Sequence, residues 1–115
     1  MTEHTTVIET DSERESSARA EIEHARTGHS LTAQLEALLL VADDPLSIVT
    51  LATATDRPVR EVRRAIADLI ADYDGRADGP MRGFELREVA GGYRYYVRES
   101  LDPLIAGFVD QHSTQ

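Results

Sequence analysis

The chain has 115 residues, a net charge of −9, 41% apolar residues and no cysteine. This length predicts one domain, with or without an unstructured extension, and the missing cysteines exclude disulfides, thiolate metal sites and a thiol nucleophile. No run of 18 apolar residues is present and the N-terminus lacks the order of a signal peptide, so we expect a cytoplasmic protein without a membrane contact.

Residues 1–30 are predicted to form a disordered acidic tail. They hold seven acids and three arginines, a net charge of −4, and few large apolar residues. The stretch SERESSARAEIEHAR has helical propensity, but it lacks a continuous apolar stripe, so an isolated helix there would be marginal. Gly28 would end any helix that forms. Such a composition is typical of a disordered segment.

Three short helices are predicted after the tail. In the first, Leu31, Leu35 and Leu38 share one helical face, and Asp44-Pro45 ends the helix because proline disfavours helical geometry in the preceding residue. Ser47 is the expected N-cap of the second helix, residues 48–54. The third follows a brief turn and has the most regular apolar stripe of the chain: Val59, Val62, Ile66, Leu69, Ile70 and Tyr73.

A β-hairpin is predicted next, in the sequence EVAGGYRYYVRES. If Gly91-Gly92 form a two-residue turn with positive φ values, Leu86 pairs with Val97 and Phe84 with Glu99. One face then directs Phe84, Leu86, Val97 and tyrosine rings to the core. The other face has the opposite-charge pair Glu85–Arg98 and places Arg87 beside Tyr96, with both pairs suited to water.

A last helix is predicted from the apolar residues Leu101, Leu104, Ile105 and Phe108, which lie on one side. Three helices, a hairpin and a closing helix are the order of a winged helix-turn-helix. The predicted fold class is therefore α+β, mainly α, with a winged-helix domain over residues 31–111 and a polar end over residues 112–115.

Sites for catalysis or for a cofactor are not predicted. The four histidines are scattered, the Asp-Gly turns lack the ligand spacing of a calcium loop, and no nucleophile has a plausible base nearby. No glycine-rich loop follows a strand and opens a helix, as a phosphate site would require. We therefore expect a protein that is not an enzyme and needs no cofactor or metal.

Two surfaces are candidate binding sites. Arginines recur at helical spacing opposite the apolar stripe of the third helix, where a DNA-reading winged helix would contact its target. A further arginine lies on the wing. The candidates for nucleic-acid contact are Arg57, Arg60, Arg64 and Arg94. The acidic whole chain opposes such binding, so a direct DNA contact would be weak. Apolar residues outside the core stripes indicate instead a protein interface, with the candidates Leu40, Val49, Val89 and Tyr96.

Three sequence motifs resemble those of one family. The stretches LEALLLVADDPLS (residues 35–47) and LREVAGGYRYYVR (residues 86–98) are similar to the N-terminal winged-helix domain of ScpB, over about residues 31–109. The shared features are the Glu-Ala-Leu-Leu opening helix, Pro-Leu-Ser before the second helix, and the Glu-Val-Ala-Gly-Gly-Tyr wing.

This resemblance implies an accessory subunit of a bacterial SMC–kleisin condensin complex, concerned with chromosome segregation and condensation. It implies no enzymatic activity, a homodimer that involves this domain, binding to the kleisin ScpA and through it to SMC, and a place at the nucleoid in the cytoplasm. The resemblance covers the first winged helix of the family, which a second one follows in family members. The alternative from the residues alone is a winged-helix transcriptional regulator that binds DNA.

Overall fold

The computed structural model describes residues 10–113. The chain divides between Ser30 and Leu31 into two compact units.

In the first unit, helix α1 spans Asp11–Thr27, and none of its residues is buried. The sequence predicted a disordered tail here, whereas the structure has a helix over this stretch; residues 1–9 lie outside the described part. A capping box explains the helix: the Glu13 amide donates to the Thr10 hydroxyl (3.1 Å), and the Thr10 amide donates to the Glu13 carboxylate (2.8 Å).

Three helices form the core of the second unit: α2 (Leu31–Val41), α3 (Ile48–Thr55) and α4 (Val59–Tyr73). They bury most of the stripes that the periodicity predicted, although Val59 is 37% exposed. The buried apolar residues are Leu35, Leu39, Leu51, Ala52, Val62, Ala65, Ile66, Leu69, Tyr73 and Leu86. The last of these comes from the hairpin, so the helices and the wing share one core.

The helix ends follow local chemistry. Ser47 caps α3 as predicted, because its hydroxyl accepts from the Thr50 amide at 3.1 Å. At the other end Asp56 adopts a left-handed conformation, φ 55°, and the turn leads directly into α4. This short connection makes α3 and α4 a helix-turn-helix pair.

The wing consists of two antiparallel strands, β1 (Phe84–Val89) and β2 (Gly92–Val97). The predicted register is wrong by two residues, since Leu86 pairs with Tyr95 and Phe84 with Val97. The turn is formed by Ala90 and Gly91, which have φ values of 50° and 81°. A shift of two residues keeps every side chain on its predicted face.

Gly92 lies in the strand rather than in the turn, and a neighbouring loop explains this. A Cβ atom at Gly92 would lie 2.8 Å from the carbonyl carbon of Pro45. The close approach lets Leu46 and Tyr93 exchange two backbone hydrogen bonds, of 2.9 and 2.8 Å, which add a one-residue bridge to the hairpin. The glycine therefore anchors the wing to the segment that precedes α3.

The two faces of the wing differ from the prediction only at its base. Leu86 is buried, but Phe84 and Val97 are 41% and 51% exposed, so their assignment to the core is wrong. On the other face the directly opposite pairs are Glu85–Tyr96 and Arg87–Arg94, so the two predicted pairs meet only as diagonal neighbours, and the Arg98 side chain is nearly buried rather than in water. Arg98 lies 3.7 Å from Glu85, and the guanidinium of Arg87 lies 4.7 Å from the ring centre of Tyr96.

A short 3-10 helix, Glu99–Leu101, leads from β2 into the last helix, α5 (Asp102–Ser113). Every residue of α5 from Asp102 to His112 is exposed. Because the helix includes His112 and Ser113, the predicted polar end begins inside it, and residues 114–115 lie outside the described part. The three core helices with the wing and α5 give the winged helix-turn-helix fold that the sequence predicted.

Candidate functional site

A shallow apolar groove lies where α2, the end of α4 and the wing meet. Its lining residues are Glu36, Leu40, Tyr73, Phe84 and Tyr95, and its volume is about 300 Å³. Leu40 is 76% exposed, although Leu35 and Leu39 of the same helix are buried. It points into the groove because it falls outside the sector of α2 that Leu35 and Leu39 turn to the core.

Three aromatic rings form one wall of the groove. The ring centres of Tyr73 and Phe84 are 4.9 Å apart, and the Tyr95 ring lies 5.8 Å from Tyr73 and 5.6 Å from Phe84. The Tyr95 ring meets both neighbours edge-on, an arrangement that aromatic pairs favour. The cluster holds Phe84 at the surface in one orientation, where a partner can contact it.

A chain of hydrogen bonds crosses the floor of the groove. The Tyr73 hydroxyl donates to the Glu36 carboxylate at 2.5 Å, and it lies 2.8 Å from the Tyr95 hydroxyl. Tyr73 uses its one proton on Glu36, so Tyr95 donates to Tyr73. Burial first, and then the bond to Glu36, raise the pKa of Tyr73 well above 10; burial also raises the pKa of Tyr95. Both phenols are therefore protonated at neutral pH.

The predicted interface residues do not all lie on this groove. Leu40 lines it, whereas Val49 is 62% exposed on α3. Val89 and Tyr96 are half-buried on the face of the wing opposite Phe84 and Tyr95. The role of these four residues stays a prediction. The prediction missed that Phe84 and Tyr95 line a groove, because their alternation with polar residues is the pattern of a buried strand face; Tyr95 does pack against the core, whereas Phe84 is exposed.

The surface of the four predicted arginines is not purely basic, because one of them pairs with a carboxylate. The Arg57 side chain donates to Glu61 at 2.8 Å, while Arg60 and Arg64 are exposed on α4. Arg94 is exposed on the wing, 6.0 Å from the centre of the Tyr96 ring. Glu61 thus offsets part of the positive charge at the start of α4. A DNA contact at these four arginines stays a prediction.

Arg98, a further arginine of the wing, has a structural role. Its guanidinium donates to the backbone carbonyls of Arg82 (2.6 Å) and Tyr73 (2.7 Å) and to the Asp74 carboxylate (2.8 Å). The side chain is only 13% exposed, so it is not available to a ligand. A cation at this position also suits the negative C-terminal end of α4.

The pair Arg98–Asp74 should make stability depend on acidic pH. The hydrogen bond from Arg98 is the main cause that lowers the pKa of Asp74 below 3.8. The contribution of the pair is therefore complete above about pH 5 and is lost as the pH falls through the folded-state pKa. We expect Asp74→Asn to be less stable than the parent at about pH 6 and to approach it at about pH 2. Urea unfolding at the two pH values measures this difference, and an unchanged difference would contradict the prediction.

Within residues 10–113 no group of three or more His, Asp or Glu residues could hold a metal ion. None of the helices in that part of the chain is long and apolar enough to cross a membrane.

A comparison with known proteins identifies the family. The model of the "Segregation and condensation complex subunit ScpB" family matches residues 33–115, the winged helix together with α5. The chain belongs to the ScpB family. The resemblance that the three sequence motifs indicated is thus confirmed. ScpB is a segregation and condensation subunit and is not a known enzyme family.

Individual ScpB proteins are also similar to this chain in sequence and in structure. Segregation and condensation protein B of Symbiobacterium thermophilum is 42% identical over 59 residues, which are 51% of this chain and 25% of that protein. The crystal structure of ScpB from Mycobacterium tuberculosis is 32% identical with a TM-score of 0.66, over 74% of this chain and 51% of that one. The chain therefore spans about half of one ScpB relative and a quarter of the other.

A second ScpB structure contains a partner. It is a dimer of the ScpB N-terminal domain complexed with a ScpA peptide, 28% identical to this chain with a TM-score of 0.59. The match covers 68% of this chain and 93% of that one. The winged helix described here thus corresponds to nearly the whole N-terminal domain in that complex.

Proposed function

We propose that this chain is a non-enzymatic accessory subunit of a bacterial SMC–kleisin condensin complex in chromosome segregation and condensation. In this role it forms a homodimer, binds the kleisin ScpA and through it SMC, and acts at the nucleoid in the cytoplasm. The observation that supports the proposal most is the likeness to the ScpB N-terminal dimer with its ScpA peptide, which covers 93% of that chain.

The surface chemistry supports a protein that works by binding. Leu40 and Val49 are 76% and 62% exposed, and each belongs to a helix that packs other apolar residues in the core. Apolar side chains left outside a core are typical of protein interfaces when they lie on rigid elements. The predicted kleisin or dimer contacts are therefore Leu40, Val49, Val89 and Tyr96, each on a helix or strand of the winged helix.

A binding experiment with the kleisin tests this proposal. The full chain, mixed with ScpA, should form a complex with a dissociation constant below about 10 µM. We expect Val49→Asp to weaken the complex about tenfold, because a carboxylate would have to be buried in an apolar contact. Val49 is exposed, so this variant should fold, and Arg60→Ala serves as the matched control on an exposed helix face. Calorimetry that detects no complex at tens of micromolar would refute the proposal.

A further inference from the structure

The arginines of the winged helix fall into two groups. Of the nine that follow residue 30, four form ion pairs with Asp or Glu, namely Arg57, Arg76, Arg82 and Arg98. The other five are exposed and form no ion pair with any residue that the structure describes, namely Arg60, Arg63, Arg64, Arg87 and Arg94. The chain has 21 acidic residues against 12 arginines, so a shortage of carboxylates does not explain the second group.

Three of the unpaired arginines lie on one outward line of α4. Arg60, Arg63 and Arg64 belong to the first half of the helix, and Ala67 continues their line opposite the buried stripe. Asp68 borders the line, but within the described part of the chain it forms no ion pair with Arg64. The centre of a protein interface is apolar and depleted of charge, whereas this line consists of arginine and alanine. It therefore favours an anionic partner over an apolar protein surface.

The other two unpaired arginines face each other across the wing. Arg87 of β1 is directly opposite Arg94 of β2, and like charges in this position destabilise a hairpin. Both guanidinium groups lie near the Tyr96 ring, at 4.7 and 6.0 Å from its centre, and the ring offsets part of the repulsion. Glu85, the carboxylate of this strand face, contacts Arg98 instead. The pair thus forms a concentrated positive site that a bound anion would stabilise.

The positions of these arginines favour duplex DNA as the anion. In a helix-turn-helix pair such as α3 and α4, the second helix is the one that enters the major groove of DNA. Arg60 and Arg64 are about 6 Å apart along the axis of α4. Because the phosphates of one strand advance by about 3.4 Å per nucleotide, the two side chains can contact separate phosphates. The arginines of the wing supply a second group of cations, and each group adds phosphate contacts.

We propose that the chain binds duplex DNA directly, through phosphate contacts of Arg60, Arg63, Arg64, Arg87 and Arg94. Phosphate contacts carry no sequence information, so the binding is non-specific. The net charge of −9 opposes it, and we expect a dissociation constant of about 100 µM at physiological salt. Such a contact is effective when protein partners hold the chain near DNA, because a high local concentration then replaces affinity. This function is additional to the protein contacts proposed above.

The structure also changes the set of arginines that the sequence predicted for DNA. Arg57 leaves the set, because its side chain is engaged by Glu61 at 2.8 Å. Arg63 and Arg87 enter it, since both are exposed and unpaired among the described residues.

Fluorescence anisotropy of a labelled duplex with the full chain tests the proposal. With a random sequence of about 30 base pairs, the logarithm of the dissociation constant should rise with the logarithm of the salt concentration with a slope of about 4, roughly one for each phosphate contact. The double variant Arg87→Gln with Arg94→Gln should lower this slope by about 2 and weaken binding about tenfold. Arg60→Gln with Arg64→Gln should do the same.

A matched control removes the same charge elsewhere. Arg19 lies on α1, and Arg76 is 63% exposed beside Asp74. The double variant Arg19→Gln with Arg76→Gln should keep the slope and change the affinity by less than about threefold, because only long-range charge is lost. If this control weakened binding as much as the two proposed pairs, the net charge and not a defined site would govern binding, and the proposal would be wrong.

Thermal unfolding separates a binding role of the wing pair from a structural one. Arg94→Gln removes the like-charge pair and keeps the closer contact of Arg87 with Tyr96. Its thermal midpoint should therefore rise, by about 2 °C, although its binding to DNA weakens. A midpoint well below that of the parent would show that Arg94 supports the fold, and would remove the wing from the proposed site.

The remaining outcomes concern the nature of the partner. Absence of any anisotropy change at about 100 µM chain and low salt would overturn the proposal. Displacement of the duplex by poly-glutamate of equal total charge would assign the arginines to an acidic protein instead, and would also overturn it. Binding of ScpA by both proposed double variants should match the parent, so a failure of DNA binding leaves the proposed function intact. Circular dichroism of each variant checks that the fold is retained.

Discussion

Replacing Arg98 with alanine is expected to lower the free energy of unfolding by about 3 kcal/mol, because it removes a nearly buried cation whose partners stay behind. In the parent, the guanidinium joins the end of α4, the loop at Arg82 and the wing through three hydrogen bonds of 2.6 to 2.8 Å. Without it the Arg82 carbonyl and the Asp74 carboxylate lose a donor. Tyr73 keeps the backbone amide of Arg82 as a partner for its carbonyl, which limits the loss.

A second arginine on the same carboxylate provides the control. Arg76 also contacts Asp74, at 3.2 Å, but its side chain is 63% exposed. Because exposed ion pairs contribute little, Arg76→Ala should cost less than about 1 kcal/mol. Arg98→Lys keeps the charge but not the planar set of donors, so it should fall between the two alanine variants. Urea unfolding followed by circular dichroism compares them; equal losses for Arg98→Ala and Arg76→Ala would show that burial does not strengthen the Arg98 contacts.

Replacing Gly92 with alanine is expected to destabilise the fold by about 3 kcal/mol, through a collision with backbone rather than through strain in the turn. The new Cβ would lie 2.8 Å from the Pro45 carbonyl carbon and 3.0 Å from the Leu46 amide nitrogen. Backbone atoms cannot move aside as a flexible side chain can. The bridge between Leu46 and Tyr93 should therefore open, and the wing should separate from the loop before α3.

Gly91→Ala tests whether the neighbouring glycine is needed for its backbone conformation rather than for the space around it. A Cβ at Gly91 would meet no atom within 4 Å, but its φ of 81° is unfavourable for alanine. The cost should be about 1 to 2 kcal/mol, from backbone strain alone. Thermal unfolding of both variants gives the comparison. If Gly91→Ala were the more damaging, the turn and not the contact with Pro45 would set the stability of the wing.

The local elements were predictable because short-range chemistry sets them. Apolar residues at helical spacing placed α2 and α4, Ser47 capped α3, and the alternation in the wing assigned each side chain to its face. The sequence did not determine the register of the two strands of the wing. Both glycines can adopt a positive φ, so the turn could be placed on either pair, and only the contact of Gly92 with Pro45 decides that Ala90 and Gly91 form it. The cap of α1 was missed because Thr10 and Glu13 open a helix that has no apolar stripe.

The candidate site depends on residues that are distant in sequence. The bond from Tyr73 to Glu36 joins residues 37 positions apart, and the contact of Tyr73 with Tyr95 spans 22 positions. No spacing rule relates them, so Phe84 and Tyr95 were assigned to the core and the groove was not foreseen. Conversely, Leu40 was identified from sequence, since a residue outside an apolar stripe is recognisable from periodicity alone.

By itself, the sequence determined the order of helices and strands, the absence of thiol chemistry and the family to which the chain belongs, because these depend on residue types and their spacing. The tertiary structure alone decided that Arg98 is a structural residue, that Phe84 and Val97 reach the surface, and that α5 remains uncovered. The physical reason is that burial is a property of the surroundings of a residue. An apolar stripe shows that a helix requires a partner, but only the packed structure shows whether that partner lies within the same chain.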